Sequence, residues 1–162
     1  MYRPWLVEDL EQFTNIYSDA RVTRFIGGPI KNNDYLKRLK YFQARHGGHK
    51  NMGAFATCLK SNHEIIGAAF IGPLKDGDDQ FLEEIEIGWT LGLKHWGQGF
   101  GTEMGFALKK YGQSLGLKTI HAVVNLENHA SRKICEKIGM SYIGISDRYY
   151  GVETHHFILE FT

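Results

Sequence analysis

Trp89-Thr90-Leu91-Gly92-Leu93-Lys94-His95-Trp96-Gly97-Gln98-Gly99-Phe100-Gly101-Thr102-Glu103 is the stretch on which the fold of this chain turns. An alternating run ends at Leu91, and glycines then stand at 97, 99 and 101. Phe100, Met104, Ala107, Leu108, Tyr111 and Leu115 follow at the spacing of one helix face. Strand, glycine loop and helix therefore succeed one another without a gap. Alternate glycines let the backbone fold tightly, so that several N–H groups can converge on one point. The helix that follows adds its unpaired N–H groups and the positive end of its dipole. That combination suits a phosphate or pyrophosphate; a turn whose glycines only close-pack is the plainer alternative.

Outward from this stretch the chain alternates. Before it we expect a strand at Tyr2–Arg3 and a helix over 8–17 with Leu10, Phe13, Ile16 and Tyr17 inward. A break at Gly27-Gly28-Pro29 precedes a second helix over 33–45, with Leu36, Leu39, Tyr41 and Phe42 buried and Gly47-Gly48 as its stop. Strands are expected at 53–59, 64–71 and 82–91, separated by turns at 61–63 and 73–78, as an antiparallel meander. After the helix that follows the glycines we expect a strand at 118–124, a helix at 128–137 with Ile134, Cys135 and Ile138 inward, and strands at 140–146 and 152–161. The order predicts an α/β chain, a mixed and mostly antiparallel sheet flanked by helices, with two crossovers in its second half.

Composition bounds the function. The 162 residues allow one domain over 1–162. With 19 basic against 18 acidic side chains, the formal charge is +1. That offers no electrostatic footing for nucleic acid or an anionic membrane surface. The N-terminus has no apolar core of signal-peptide length, and the longest apolar run, at 65–72, is too short to span a bilayer. Cys58 and Cys135 form no paired motif. A reduced, cytoplasmic, soluble protein, monomeric or homodimeric, is the expectation.

Several familiar motifs fail. Gly112-Gln113-Ser114-Leu115-Gly116 has the letters of a nucleophile elbow, but it ends a helix instead of opening one. The glycines at 97–105 complete no dinucleotide fingerprint, and no phosphate-loop Gly-Lys-Ser/Thr occurs. Among eight histidines only His46/His49 and His155-His156 cluster. The first two fall in an expected loop, and the second two alternate across a strand. No metal is expected.

The segment Gly97-Gln98-Gly99-Phe100-Gly101-Thr102-Glu103 resembles the acyl-CoA pyrophosphate loop of the GNAT superfamily of N-acetyltransferases. Trp96 and Thr102-Glu103 are similar to the branch of ribosomal-protein N-terminal acetyltransferases. A second block, Asn128-His129-Ala130-Ser131-Arg132-Lys133-Ile134-Cys135-Glu136-Lys137-Ile138-Gly139-Met140, resembles that branch's N-x-x-S…E-K-x-G segment, and Arg3-Pro4…Glu8-Asp9-Leu10 its start. The chain departs from the superfamily at two places: Trp96 stands where Arg or Gln is common, and Cys135 where many members carry a tyrosine general acid. The resemblance implies acetyl-CoA as cosubstrate and a primary amine as acceptor, a protein N-terminus or a small molecule. Two other classes of protein are compatible with these residues: a non-catalytic acyl-CoA-binding module and a nucleotide-binding protein using the same loop.

For acetyl transfer to an amine, Glu86 is the expected base and Glu84 the second candidate. Both lie on one face of the strand that runs into the loop, with Gly88 and Thr90. Neutralising an α-amine at pH 7 costs about 1.4 kcal/mol and a lysine about 4.6, so a modest base suffices for an N-terminus. Asn128 reads as a helix N-cap with Ser131 at the third helical position. By the resemblance, the acyl-CoA contacts are Trp89, Thr90, Leu91, Trp96, Gly97, Gln98, Gly99, Phe100, Gly101, Thr102, Asn128 and Ser131, with Ser131 also placed near the CoA sulfur as contact or proton donor. Tyr149 and Tyr150 are the alternative acids, and 25–29 and 147–154 the acceptor-selecting segments.

Overall fold

A computed structural model describes residues 1–48 and 51–161. The strands are β1 (Tyr2–Pro4), β2 (Gly53–Cys58), β3 (Ile65–Lys75), β4 (Phe81–Leu91), β5 (Thr119–Asn125), β6 (Ser141–Ser146) and β7 (Thr154–Glu160). The helices are α1 (Leu10–Tyr17), α2 (Ala20–Thr23), α3 (Tyr35–Gly48), α4 (Phe100–Ser114) and α5 (His129–Lys137). The strands form a seven-stranded mixed sheet in the order β1-β2-β3-β4-β5-β7-β6. The expected α/β architecture is what folds.

The chain divides into two compact units: Met1–Phe70 with Trp89–Phe100, and Ile71–Gly88 with Gly101–Thr162. In the first, the N-terminal unit, Trp5, Phe13, Ile16, Tyr17 and Leu39 are buried with Ala54, Ala56, Cys58, Ile65 and Ala68 from β2 and β3. The Phe13 ring meets Trp5 edge-on at 5.2 Å and stacks on Tyr17 at 4.4 Å, geometries that add to simple burial. A bidentate Arg3–Asp9 pair, both bonds 2.7 Å, ties β1 to the turn before α1. In the second, the C-terminal unit, α4 buries Met104 and Leu108, and α5 buries Cys135, beside Ile138 and Met140 just beyond its end. β4 pairs with β5 in parallel, Glu86 beside His121. β7 pairs antiparallel with both β5 and β6. The second crossover, β5–α5–β6, thus skips one place in the sheet and the last strand fills it.

Three local expectations are corrected, and one short helix is added. The helix expected at 33–45 starts at Tyr35 and runs through Gly47 to Gly48, so the glycine pair does not stop it; His49 and the side chain of His46 lie outside the described residues. Leu36 and Tyr41, expected inside, are exposed. The short helix α2 carries no periodic signal of its own; Asp19 caps it by accepting the Arg21 N–H at 2.9 Å. Pro73, expected in a turn, lies within β3, which continues through it to Lys75. The hairpin closed by the Leu59 N–H on Glu64 O (2.9 Å) leaves residues 71–75 past the end of the six-residue β2, so the missing N–H of Pro73 breaks no bond to that strand.

Candidate active site

The N-terminal unit holds the glycine loop. β4 ends at Leu91, and a single 3-10 turn over Leu93–His95 leads to Trp96 and the glycines. Gly67 of β3 admits the end of β4: a Cβ there would lie 2.0 Å from the Thr90 carbonyl oxygen. The Gly92 N–H then donates to Ile66 O at 2.9 Å. The loop is fixed by its own side chains. Trp96 Nε1 donates to Leu91 O and Gln98 Nε2 to Lys94 O, both at 2.8 Å, while Lys94 pairs with Glu64. Trp96 therefore clamps the loop to the end of β4.

Gly97 (φ +73°) and Gly99 (φ +85°) adopt the left-handed conformation, and a Cβ on either would meet no atom within 4 Å. Backbone that is strained for other residues and open on one side fits a bulky anion approaching main-chain N–H groups, as a pyrophosphate would. α4 begins at once, at Phe100.

In the C-terminal unit Glu86, 8% exposed in the middle of β4, accepts a hydrogen bond from the hydroxyl of Tyr150. Tyr150 sits between β6 and β7 at φ +58°, a conformation that costs a bulky residue about 1–2 kcal/mol. The turn is latched. The Tyr150 N–H donates to Lys75 O at 3.0 Å, and Gly151 packs on Gly77 of the β3–β4 turn so closely that a Cβ on either would stand 3.4 Å from the other's Cα. Such strain, held by surrounding contacts, is characteristic of functional positions. Glu84, two residues earlier, is instead engaged by the Arg148 guanidinium.

Tyr149 is buried, with its hydroxyl pushed up by desolvation, and its ring meets His156 edge-on at 5.1 Å. His156 stacks on His121, the ring nitrogens 2.9 Å apart, one donating to the other. Burial lowers both imidazole pKa values below the ordinary one; the neighbouring His156 adds to this for His121, and Arg148 for His156. No sequence pattern announced this pair, which joins two strands 35 positions apart. Among the described residues no three His, Cys, Asp or Glu side chains gather as a metal site. No helix among them is long and apolar enough to cross a membrane.

Asn128 caps α5 as expected, its Oδ1 accepting the Ser131 N–H at 3.1 Å. Among the described residues, the Asn128 amide nitrogen and the Ser131 hydroxyl have no hydrogen-bond partner beyond this cap. Cys135 is fully buried and its thiol pushed up to about 12 by desolvation, which makes it part of the core. The acidic turn 76–79 is engaged internally. Asp76 Oδ1 accepts the N–H groups of Asp78 and Gln80, and Asp79 pairs with Lys75.

A strand ending in an open glycine loop at the head of a helix, on a sheet of this order, defines a class. The sequence profile of the acetyltransferase (GNAT) domain matches residues 1–141, and the chain belongs to that family of N-acetyltransferases. An "uncharacterized N-acetyltransferase p20" of Bacillus licheniformis is 29% identical over 145 residues, 86% of this chain and 77% of its own. The crystal structure of an acetyltransferase from Agrobacterium tumefaciens is 25% identical with a TM-score of 0.80, covering 98% of this chain and 89% of that one. The aminoglycoside acetyltransferase AAC(6')-Ib, solved with paromomycin and acetyl-CoA, shares the fold: 17% identity, TM-score 0.80, 99% of this chain and 92% of that one.

Proposed function

We propose that the chain transfers an acetyl group from acetyl-CoA to a primary amine by direct attack, with Glu86 as general base. The observation that carries this reading is the Glu86 carboxylate itself: buried on an interior strand that runs into the glycine loop, and held by a hydroxyl on a strained, latched turn. Bound acetyl-CoA would supply a thioester carbon and a thiolate leaving group. The backbone N–H groups at 97–101 and the N-terminus of α4 would grip the pyrophosphate, with Trp96 and Gln98 fixing the loop and Phe100 and Thr102 opening the helix. Main chain at Trp89, Thr90 and Leu91 would pair with the pantetheine arm and polarise the carbonyl. Asn128 and Ser131 would use the groups their cap leaves over.

Glu86 takes the proton from the attacking nitrogen, directly or through one water, as the carbon–nitrogen bond forms and the carbon–sulfur bond breaks. Tyr150, in hydrogen-bond contact with that carboxylate, is our assignment for the hydroxyl that returns a proton to the leaving thiolate, in place of a tyrosine at 135. Glu84, occupied by Arg148, is left an electrostatic part. The second sequence block favours an acceptor α-amine of the kind used by ribosomal-protein N-terminal acetyltransferases.

The test mixes the protein with acetyl-CoA and a panel of free-N-terminus peptides, N-blocked lysine peptides, polyamines, aminoglycosides and amino acids, and reads products by mass spectrometry. Acetylation of at least one amine, lost in Glu86→Gln, supports the reading. Acetyl-CoA binding with no product from any amine overturns it.

A further inference from the structure

The N-terminal unit holds a second feature that the chemistry above does not use. A depression of about 580 Å³ opens between the α1–α2 segment and α3, with Tyr17, Thr23, Lys31, Lys37 and Arg38 in its lining. Its size is in the range of small-molecule sites. Three of its side chains are cationic. The one carboxylate in the lining, Asp34, is engaged at the start of α3, where its Oδ1 accepts the Lys37 N–H at 3.0 Å.

Arg38 is oriented without being neutralised. Its guanidinium lies 5.3 Å from the ring centroids of both Tyr41 and Phe42. Among the described residues no carboxylate forms an ion pair with it. Tyr17, in the same lining, is only 2% exposed, its ring stacked on Phe13. The Tyr17 hydroxyl is buried near the Thr90 side chain and, by hydrogen-bond geometry, is without a partner. Burial raises its pKa, which keeps it a donor. A buried donor and an unneutralised guanidinium at one concave site match an anionic oxygen. Thr90 belongs to the stretch of β4 assigned above to the acyl-CoA arm, so the depression opens beside that stretch within the same unit.

We infer that this depression, through Arg38, Tyr17 and Lys31, binds an anionic group, carboxylate or phosphate, carried by the amine acceptor. That the ligand is an acceptor rests on the acetyl-transfer reading; that the site takes an anion does not. Polycationic amines, such as the aminoglycoside bound by the structural neighbour, are then poor acceptors here.

The experiment measures transfer by mass spectrometry and binding by calorimetry on the CoA-bound full chain, using pairs matched in their amine: tyrosine against tyramine, glutamate against glutamine, and O-phosphoethanolamine against ethanolamine, with kanamycin as the polycation. The carboxylate pairs and the phosphate pair separate the two sources of charge. The anionic member of at least one pair should be favoured by about ten-fold or more. In Arg38→Gln the preference should fall to two-fold or less, and Arg38→Lys, a check on folding, should keep part of it. Equal binding within every pair, a preference that survives Arg38→Gln, or tightest binding of kanamycin would overturn the inference. Arg38-dependent binding of the anion without acetylation of any amine would overturn the transfer reading and leave the anion site standing.

Discussion

Tyr150, in the turn before β7, donates its hydroxyl proton to Oε1 of Glu86 in the middle of β4, joining residues 64 positions apart. The buried carboxylate that we propose as the base is thereby held by a neutral donor. Glu86→Gln keeps the shape and removes the base, so kcat should fall by about 10²-fold or more, the range for a lost general base. Tyr150→Phe should cost less, about ten-fold, with KM for acetyl-CoA unchanged. Steady-state kinetics on both variants check this; equal activity of Glu86→Gln and the parent would remove Glu86 from the mechanism.

The glycines that shape the loop proposed to hold acyl-CoA should be intolerant for two different reasons. Gly99→Ala meets no neighbour, so its cost is the left-handed backbone alone, about 1–2 kcal/mol. Spent on holding the loop, that energy corresponds to roughly ten-fold weaker acetyl-CoA binding. Gly67→Ala instead drives a methyl into the Thr90 carbonyl, and overpacking of that kind costs about 1–3 kcal/mol or more. Urea midpoints and calorimetric binding separate the two, Gly67→Ala showing the larger loss of stability.

The His121–His156 pair makes stability pH-dependent. Both native pKa values lie below the ordinary 6.5, so the unfolded chain binds protons first as pH drops. The stabilisation is fully present above about pH 6.5 and is lost as pH falls through the lower native values. The melting temperature should therefore decline from pH 7 to pH 5, with a shallower decline in His156→Gln. An identical slope in the variant would assign the decline to other groups.

Neither thiol should react in the folded protein. Cys135 is fully buried with its pKa pushed up to about 12, and burial raises Cys58 as well. Titration with a thiol reagent at pH 8 should find no fast-reacting group in the native state and two in denaturant. Installing the family's tyrosine by Cys135→Tyr should destabilise the chain, because the position is fully buried and a much larger side chain would overpack it.

The sequence was legible wherever local pattern decides structure. The spacing of Phe100, Met104 and Leu108 marked α4, the glycines marked the loop, and Asn128 with Ser131 marked the cap, because each is settled within one or two turns of chain. Pairings between distant residues left no trace. Glu86 could be singled out as a carboxylate on a strand, but Tyr150 over Tyr149 could not. Both are tyrosines in one turn, and only the backbone twist at φ +58° sends one inward to the core and the other to the carboxylate. Pro73 misled for a related reason: a proline breaks a strand only where a neighbour needs its N–H, and strand lengths settle that, not local sequence.

The contact of Gly77 with Gly151 bears on how this chain can vary. A connection between adjacent antiparallel strands is ordinarily where a lineage tries out insertions, since surface loops absorb added length at small entropic cost. Here the β3–β4 connection braces the turn that carries Tyr150, so one added residue at 76–79 would propagate to the partner of Glu86. On the mechanism proposed, length at that hairpin is constrained by the chemistry, and diversification, natural or designed, is directed elsewhere on the surface.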